Sequence, residues 1–253
     1  MKHNALILAL ILVLTWSWRS AAWAQVPEAE KDFRSPQHFL FEMKFGPYAP
    51  QIDSEFDDAA TPFRDLFGDG KALMMSGEFD VELWRRFGTV AIGGSLGYYK
   101  NETNALLDTN STDTIPSNST TRSAGVTSIT LLPLALLAIY RFDWPTERWN
   151  FPLVPFAKLG LNYTLWWVNK GDGSTAEFAG EKATGGTLGW QFNGGASLLL
   201  DVLDPQSAKT LDLELGINHT YLFFEFIMTK GFGPSNALHV GDTTWNAGIA
   251  FEF

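Results

Sequence analysis

Apolar and polar residues alternate in strict period two over successive stretches of this chain, and that pattern limits its fold more than any other feature. In LGWQFNGGASLLLDV, Leu188, Trp190, Phe192, Ala196, Leu198, Leu200 and Val202 share one face; Gly189, Gln191, Asn193, Gly195, Ser197 and Asp201 share the other. FAKLGLNYTLWW sets Leu159, Leu161, Tyr163 and Leu165 against Lys158, Gly160, Asn162 and Thr164. Leu211 to Phe223 alternates most cleanly, with Asp212 and Glu214 opposite Leu211, Leu213, Leu215, Ile217, His219, Tyr221 and Phe223. ALMMSGEFDVELW turns Glu78, Asp80 and Glu82 away from Leu73, Met75, Phe79, Val81 and Leu83, and FLFEMKFG turns Glu42 and Lys44 away from Phe41, Met43 and Phe45. The closing stretch WNAGIAFEF places Trp245, Ala247, Ile249, Phe251 and Phe253 on one face and Glu252 on the other. Successive side chains of a strand point to opposite faces, so each stretch predicts a strand with one apolar side. Only Ile129 to Phe142 is apolar on both faces.

Eight strands follow, at about 38–48, 71–86, 88–100, 126–143, 153–169, 185–203, 210–228 and 241–253. Their connections alternate between short and long, the pattern of an up-and-down membrane barrel. The predicted fold class is therefore all-β: an eight-stranded antiparallel transmembrane barrel in a single meander, both termini on the short-turn side. A soluble lipocalin-like barrel alternates too, with its apolar face inward. The membrane orientation is preferred because the apolar faces carry almost no charge, while the other faces hold Gly, Ser, Asn and charges of both signs. Aromatics also gather at both strand ends: Trp84, Phe87, Phe142, Trp144, Trp149, Phe151 and Phe253 on one rim, and Tyr48, Tyr98, Tyr99, Trp166, Trp167, Tyr221 and Trp245 on the other. Such rings suit the headgroup level of a bilayer.

The start of the chain fits export. Lys2 and His3 precede an apolar core from Ala5 to Leu14, and Ala22-Trp23-Ala24 offers a cleavage site. We expect residues 1–24 to be a signal peptide and residues 25–253 to be the barrel domain of a Gram-negative outer-membrane protein. The leader contains Lys2 and Arg19 and no acid, so the −10 of the full chain becomes −12 on its removal. That charge argues against a nucleic-acid partner. With no Cys, disulfides, thiolate zinc sites and a lipid anchor on an N-terminal Cys are excluded.

With the strands placed, the chain resembles a myxobacterial-type family of small outer-membrane β-barrel proteins. The resemblance lies in FEMKFGPYAPQIDSEF (Phe41 to Phe56), LFGDGKALMMSGEFDVELW (Leu66 to Trp84), YRFDW (Tyr140 to Trp144) and PLVPFAKLGLNYTLWW (Pro152 to Trp167). More broadly it is similar to the eight-stranded barrels of the OmpA, OmpX and OmpW kind. That family supplies no activity to carry over. The final stretch, through Trp245, Ile249, Phe251 and Phe253, also resembles the C-terminal signal read by the barrel-assembly machinery.

Candidate chemistry is sparse. Glu42, Lys44, Glu78, Asp80, Glu82, Lys158, Asp201, Asp212, Glu214 and Glu252 are expected in the lumen, as a paired structural core or as the lining of a narrow cation-preferring path. The first long loop carries Asp53, Glu55, Asp57, Asp58, Asp65 and Asp69, and Phe56, Phe63 and Phe67 suggest that it packs over the barrel mouth. Those acids could take a divalent cation, but a solvated loop accounts for them. His219, with Thr220, Tyr221 and Glu225 nearby, lacks the His-x-Ser spacing of outer-membrane lipid deacylases and is expected at the membrane interface. No catalytic, cofactor or metal constellation is legible. The expected role is non-enzymatic, structural or surface-interacting, for a monomer that meets outer-membrane lipids and lipopolysaccharide. The alternatives are a narrow channel for small or apolar solutes and, third, a lipid-modifying enzyme.

Overall fold

The computed structural model describes residues 37–55, 60–106, 122–149, 151–178, 181–232 and 238–253. The expected signal peptide with its cleavage site, together with Phe56, Asp57 and Asp58 of the first long loop, lies outside them. Ten strands are described: β1 (Phe39–Tyr48), β2 (Ala72–Arg85), β3 (Thr89–Leu106), β4 (Arg122–Arg141), β5 (Leu153–Asn169), β6 (Glu177–Phe178), β7 (Glu181–Lys182), β8 (Thr184–Leu199), β9 (His219–Phe232) and β10 (Thr243–Glu252). Eight of them close an antiparallel meander in which β10 returns to pair with β1; β6 and β7 form a separate two-stranded hairpin in the third long loop. Closure runs through Phe41 opposite Phe251 and Phe45 opposite Ala247. The Phe253 N–H donates to the Phe39 carbonyl at 2.8 Å, so the ladder continues to the last residue.

The outer wall is apolar. Leu73, Leu136, Leu159 and Phe226 are each more than half exposed, and they sit among Met75, Phe79, Leu96, Leu161, Leu222 and Phe224. A water-facing wall of this kind would far exceed the apolar patches that soluble monomers expose. The polar residues point inward instead: Glu42, Lys44, Glu78, Asp80, Lys158, Asn193, Glu225 and Glu252 are all buried. This is the inside-out pattern of a transmembrane barrel.

Two local devices adjust the alternation. A β-bulge shifts register between Glu82 and Trp84, so Leu83 and Trp84 both face outward while Arg85 turns to the lumen. Pro133 has no N–H to donate, and the β3–β4 ladder skips from Leu96–Leu134 to Tyr99–Leu131 across it. On its other side Pro133 still pairs with Thr164.

Three expectations need correction. The stretch from 210 to 218 is not strand: a helix spans Pro205–Leu215 and β9 begins at His219. The helix has both punctuation marks. Asp204 accepts the Ser207 N–H at its start behind Pro205, and Gly216 ends it in the left-handed region at φ 69°. Asp212 and Glu214 therefore lie outside the barrel, not in the lumen, and Asp201 lies in the turn before the helix. Second, the face of β9 is reversed: Tyr221 and Phe223 are buried inside while Leu222 and Phe224 face out. Third, Tyr48, Tyr99 and Trp166 are not an outer girdle but point inward at the long-loop end, and Tyr221 lies at the opposite end. Of that upper group, Tyr98 and Trp245 remain exposed. β3 and β4 also run further than expected, pairing as far as Asn104 and Val126 and again at Leu106 and Arg122.

Candidate functional site: a layered lumen

Inward residues of the eight strands stack in layers, and each layer has a distinct chemistry. At the centre, Lys44 from β1 donates to Glu78 Oε2 at 2.7 Å and to Glu225 Oε1 at 3.1 Å, and it lies 3.1 Å from Glu42 Oε2. Lys158 from β5 donates to Glu42 Oε2 at 2.6 Å and to Glu78. Asn193 from β8 donates to the other Glu225 oxygen at 3.0 Å, and Gln191 donates to Asn193 at 3.0 Å. These charges are almost fully buried, so only mutual pairing makes their desolvation tolerable. Because partners come from β1, β2, β5, β8 and β9, the network forms only when the barrel has closed.

Asp80 belongs to this layer and differs from its neighbours. It is 1% exposed, and neither carboxylate oxygen has a hydrogen-bond partner among the described residues. Gly93 opposite makes room for it, since a Cβ there would overlap Asp80 Oδ1 and Ile139.

Below the centre, toward the termini, two apolar clusters fill the bore. One gathers Leu40, Val154, Phe156, Leu199, Tyr221, Phe223 and Ala250; the other is Ala91, Leu137 and Ile139. β4 is apolar on both faces because it supplies part of this filling. Beneath them lies a second polar layer. Arg85 donates to Glu252 Oε1 at 2.5 Å and to Glu82 Oε2 at 2.7 Å. Arg141 approaches Glu252 at 3.4 Å and Glu82 at 3.5 Å, and its guanidinium sits 4.8 Å from the Tyr221 ring centroid. Tyr221 donates to Glu252 Oε2 at 2.7 Å.

Above the centre, a cavity of about 40 Å³, bordered by Lys44, Gln191, Tyr48 and Asp242, separates the charges from an aromatic plug. Tyr48 meets Tyr99 edge-on, ring centroids 5.0 Å apart, and donates to the Val240 carbonyl. The first long loop folds over it. Its Pro62–Phe67 helix buries Phe63 against this cluster and stacks Phe63 on Phe67 at 5.0 Å. Asp53 is a structural member of that loop, accepting the Phe63 N–H at 2.7 Å and the Arg64 N–H at 3.0 Å. Asp65 accepts from Thr61 at 3.0 Å and Asp69 pairs with Arg64 at 2.6 Å. Lys71 pairs with Asp242 at 2.8 Å, fastening the loop to the last strand.

His219 lies at the terminal rim. Its Nδ1 is 2.6 Å from Asp201 Oδ2, and the other Asp201 oxygen accepts the Thr220 N–H at 3.1 Å. The pair ties the turn to the start of β9. Glu225, Arg85 and Arg141 were absent from the sequence-based set of lumen charges. Glu225 had the available signal: a lone acid among outward-facing Phe and Leu residues must point away from lipid.

No family model and no curated protein matches the sequence. Solved structures do. Neisserial surface protein A matches with a TM-score of 0.42 at 11% identity, covering 87% of this chain and 98% of that one. The outer membrane protein OprG from Pseudomonas aeruginosa matches with a TM-score of 0.41 at 12% identity, over 87% and 97% of the two chains. The outer membrane enzyme PagL matches with a TM-score of 0.32 at 9% identity, over 85% and 98%. Such identities carry nothing about ligand or activity; the barrel rests on the strand pairing of this chain itself.

Proposed function

We propose that this chain is a monomeric outer-membrane barrel without enzymatic activity, whose lumen is a structural core and whose loops and wall make its interactions. The observation that carries this reading is the lumen: a buried charge network, two apolar clusters and an aromatic plug occupy successive levels of the bore. A conducting path needs a continuous wet route, and each of these layers interrupts one. The apolar wall supports contact with lipid, and the acidic loop-side surface is compatible with lipopolysaccharide bridged by divalent cations. The outward residues of the last strand, Trp245, Ile249, Phe251 and Phe253, support a role as the assembly signal. Cleavage after Ala24 and membership of the myxobacterial-type family belong to the same proposal.

Planar-bilayer recording of the refolded protein tests the structural reading against the channel reading. We expect no steady conductance. A stable, ohmic conductance that prefers cations would instead favour a narrow channel through the Glu-rich centre. The non-enzymatic reading draws on His219, which is engaged with Asp201 and the edge of Tyr221 at the terminal rim. Release of fatty acid from lipopolysaccharide by the purified barrel would overturn it.

A further inference from the structure

The central layer of the lumen is not balanced. Four carboxylates, Glu42, Glu78, Asp80 and Glu225, share two ammonium groups, Lys44 and Lys158. Three of the acids are held by those lysines. Asp80 is not, and it is buried with both oxygens unpartnered among the described residues. Hydration would supply hydrogen bonds to Asp80 but, with all four acids ionised, would leave two excess negative charges inside a low-dielectric wall, where uncompensated charge is expensive.

The geometry supplies a place for the missing charge. One oxygen each of Glu42, Glu78 and Asp80 lies within 4.8 Å of the other two. Calcium takes carboxylate oxygens at about 2.3–2.6 Å in flexible geometry, whereas magnesium demands a near-ideal octahedron and usually keeps several waters, so a buried all-carboxylate cluster suits calcium. We propose that Asp80, Glu42 and Glu78 form a binding site for one calcium-type divalent cation inside the barrel. A charge of +2 brings the central layer to zero. The cation joins β1 to β2 beside the β1–β10 seam and shares Glu42 and Glu78 with the two lysines, while Lys44 also holds Glu225 Oε1. Entry occurs during folding, since the plug and the Arg85–Arg141 layer close the bore on either side. The inference does not depend on whether the lumen conducts.

The test uses the full mature chain refolded in detergent, once with calcium chloride and once with chelator, then washed in chelator. Metal content is read by mass spectrometry and stability by the urea midpoint. We expect the wild type refolded with calcium to retain one calcium per chain and to unfold at higher urea than the chelator-refolded sample. Asp80→Asn, which keeps the shape and removes the charge, should retain none and show no difference between the two preparations. A double variant of the exposed loop acids, Asp65→Asn with Asp69→Asn, should behave as wild type. Loss of the retained calcium in that loop variant, or equal retention by wild type and Asp80→Asn, would overturn the site. If Asp80→Asn does not refold, the loop variant decides: identical midpoints with calcium and with chelator refute the proposal.

Discussion

The central layer and the terminal-side layer of the lumen both pair two cations with carboxylates, yet they solve different problems. In the centre the cations are lysines, point charges reached from several directions, and Lys44 touches three acids at once. At the rim they are arginines, whose forks hold Glu82 and Glu252 side by side while Arg85 stays 27% exposed on its side chain. The centre has more acids than bases and is almost fully buried; the rim has near equality and a wet edge. Removing a cation from the centre strands carboxylates in a sealed place, whereas the rim keeps a second arginine and solvent in reserve. Burial, more than the number of salt bridges, therefore decides which layer is critical.

Lys44→Met should break the comparison most forcefully if it is right. It leaves Glu225 with Asn193 alone and Glu78 with Lys158 alone. Removing one partner of a buried pair costs about 3–5 kcal/mol. We expect a lower urea midpoint by that amount, or no heat-modifiable folded band. Adding Glu225→Gln should return part of the loss, because the stranded charge then disappears. A Lys44→Met protein as stable as wild type would show that the network is incidental.

Arg141→Met should cost less, about 1–3 kcal/mol, the penalty of leaving hydrogen-bonding groups unsatisfied. Arg85 remains within reach of both acids, and Tyr221 continues to donate to Glu252. Arg85→Gln should cost less again, at most about 1 kcal/mol, since a partly exposed pair contributes little. Measured side by side in urea, the three variants should rank Lys44, Arg141, Arg85. The reverse order would mean that rim closure, not the centre, limits stability.

Much of this was legible from alternation, and its failures are instructive. Glu42, Lys44, Glu78, Asp80 and Lys158 sit where period two puts them because each is flanked by outward-facing apolar residues in an uninterrupted strand. Leu211 to Phe223 looked like the cleanest strand and is half helix. There LDLEL satisfies period two, while Leu211 and Leu215 also share a helical face, so the period alone does not decide. The deciding marks were Asp204-Pro205 ahead of it and Gly216 behind it, and both are local. Once β9 begins at His219, YLFFEFIM is apolar on both faces and only Glu225 sets which face turns inward. The Arg141–Tyr221 and Tyr48–Tyr99 contacts join residues far apart in sequence, and no local pattern announces them.

The helix that misled the period also supplies the smallest and most local test on the rim. Asp204 caps it, accepting the Ser207 N–H at 3.1 Å and the Ser207 hydroxyl at 2.6 Å. Those bonds, the side-chain one foremost, hold the Asp204 carboxyl below its ordinary value. A carboxyl depressed in the folded state adds stability above its unfolded value, which it loses as pH falls through the folded one. The unfolded value is about 3.9, so the cap should be fully present at pH 6 and fade below pH ~4. In Asp204→Ala the Ser207 amide should exchange faster at pH 6, and the pH dependence of that exchange below ~4, beyond the intrinsic rate, should vanish. The barrel's own unfolding midpoint should hardly move, because the cap is exposed and touches none of the lumen layers. If Asp204→Ala weakened the barrel as much as Arg141→Met, the turn would be part of the closure and the division between sealed centre and forgiving rim would fail.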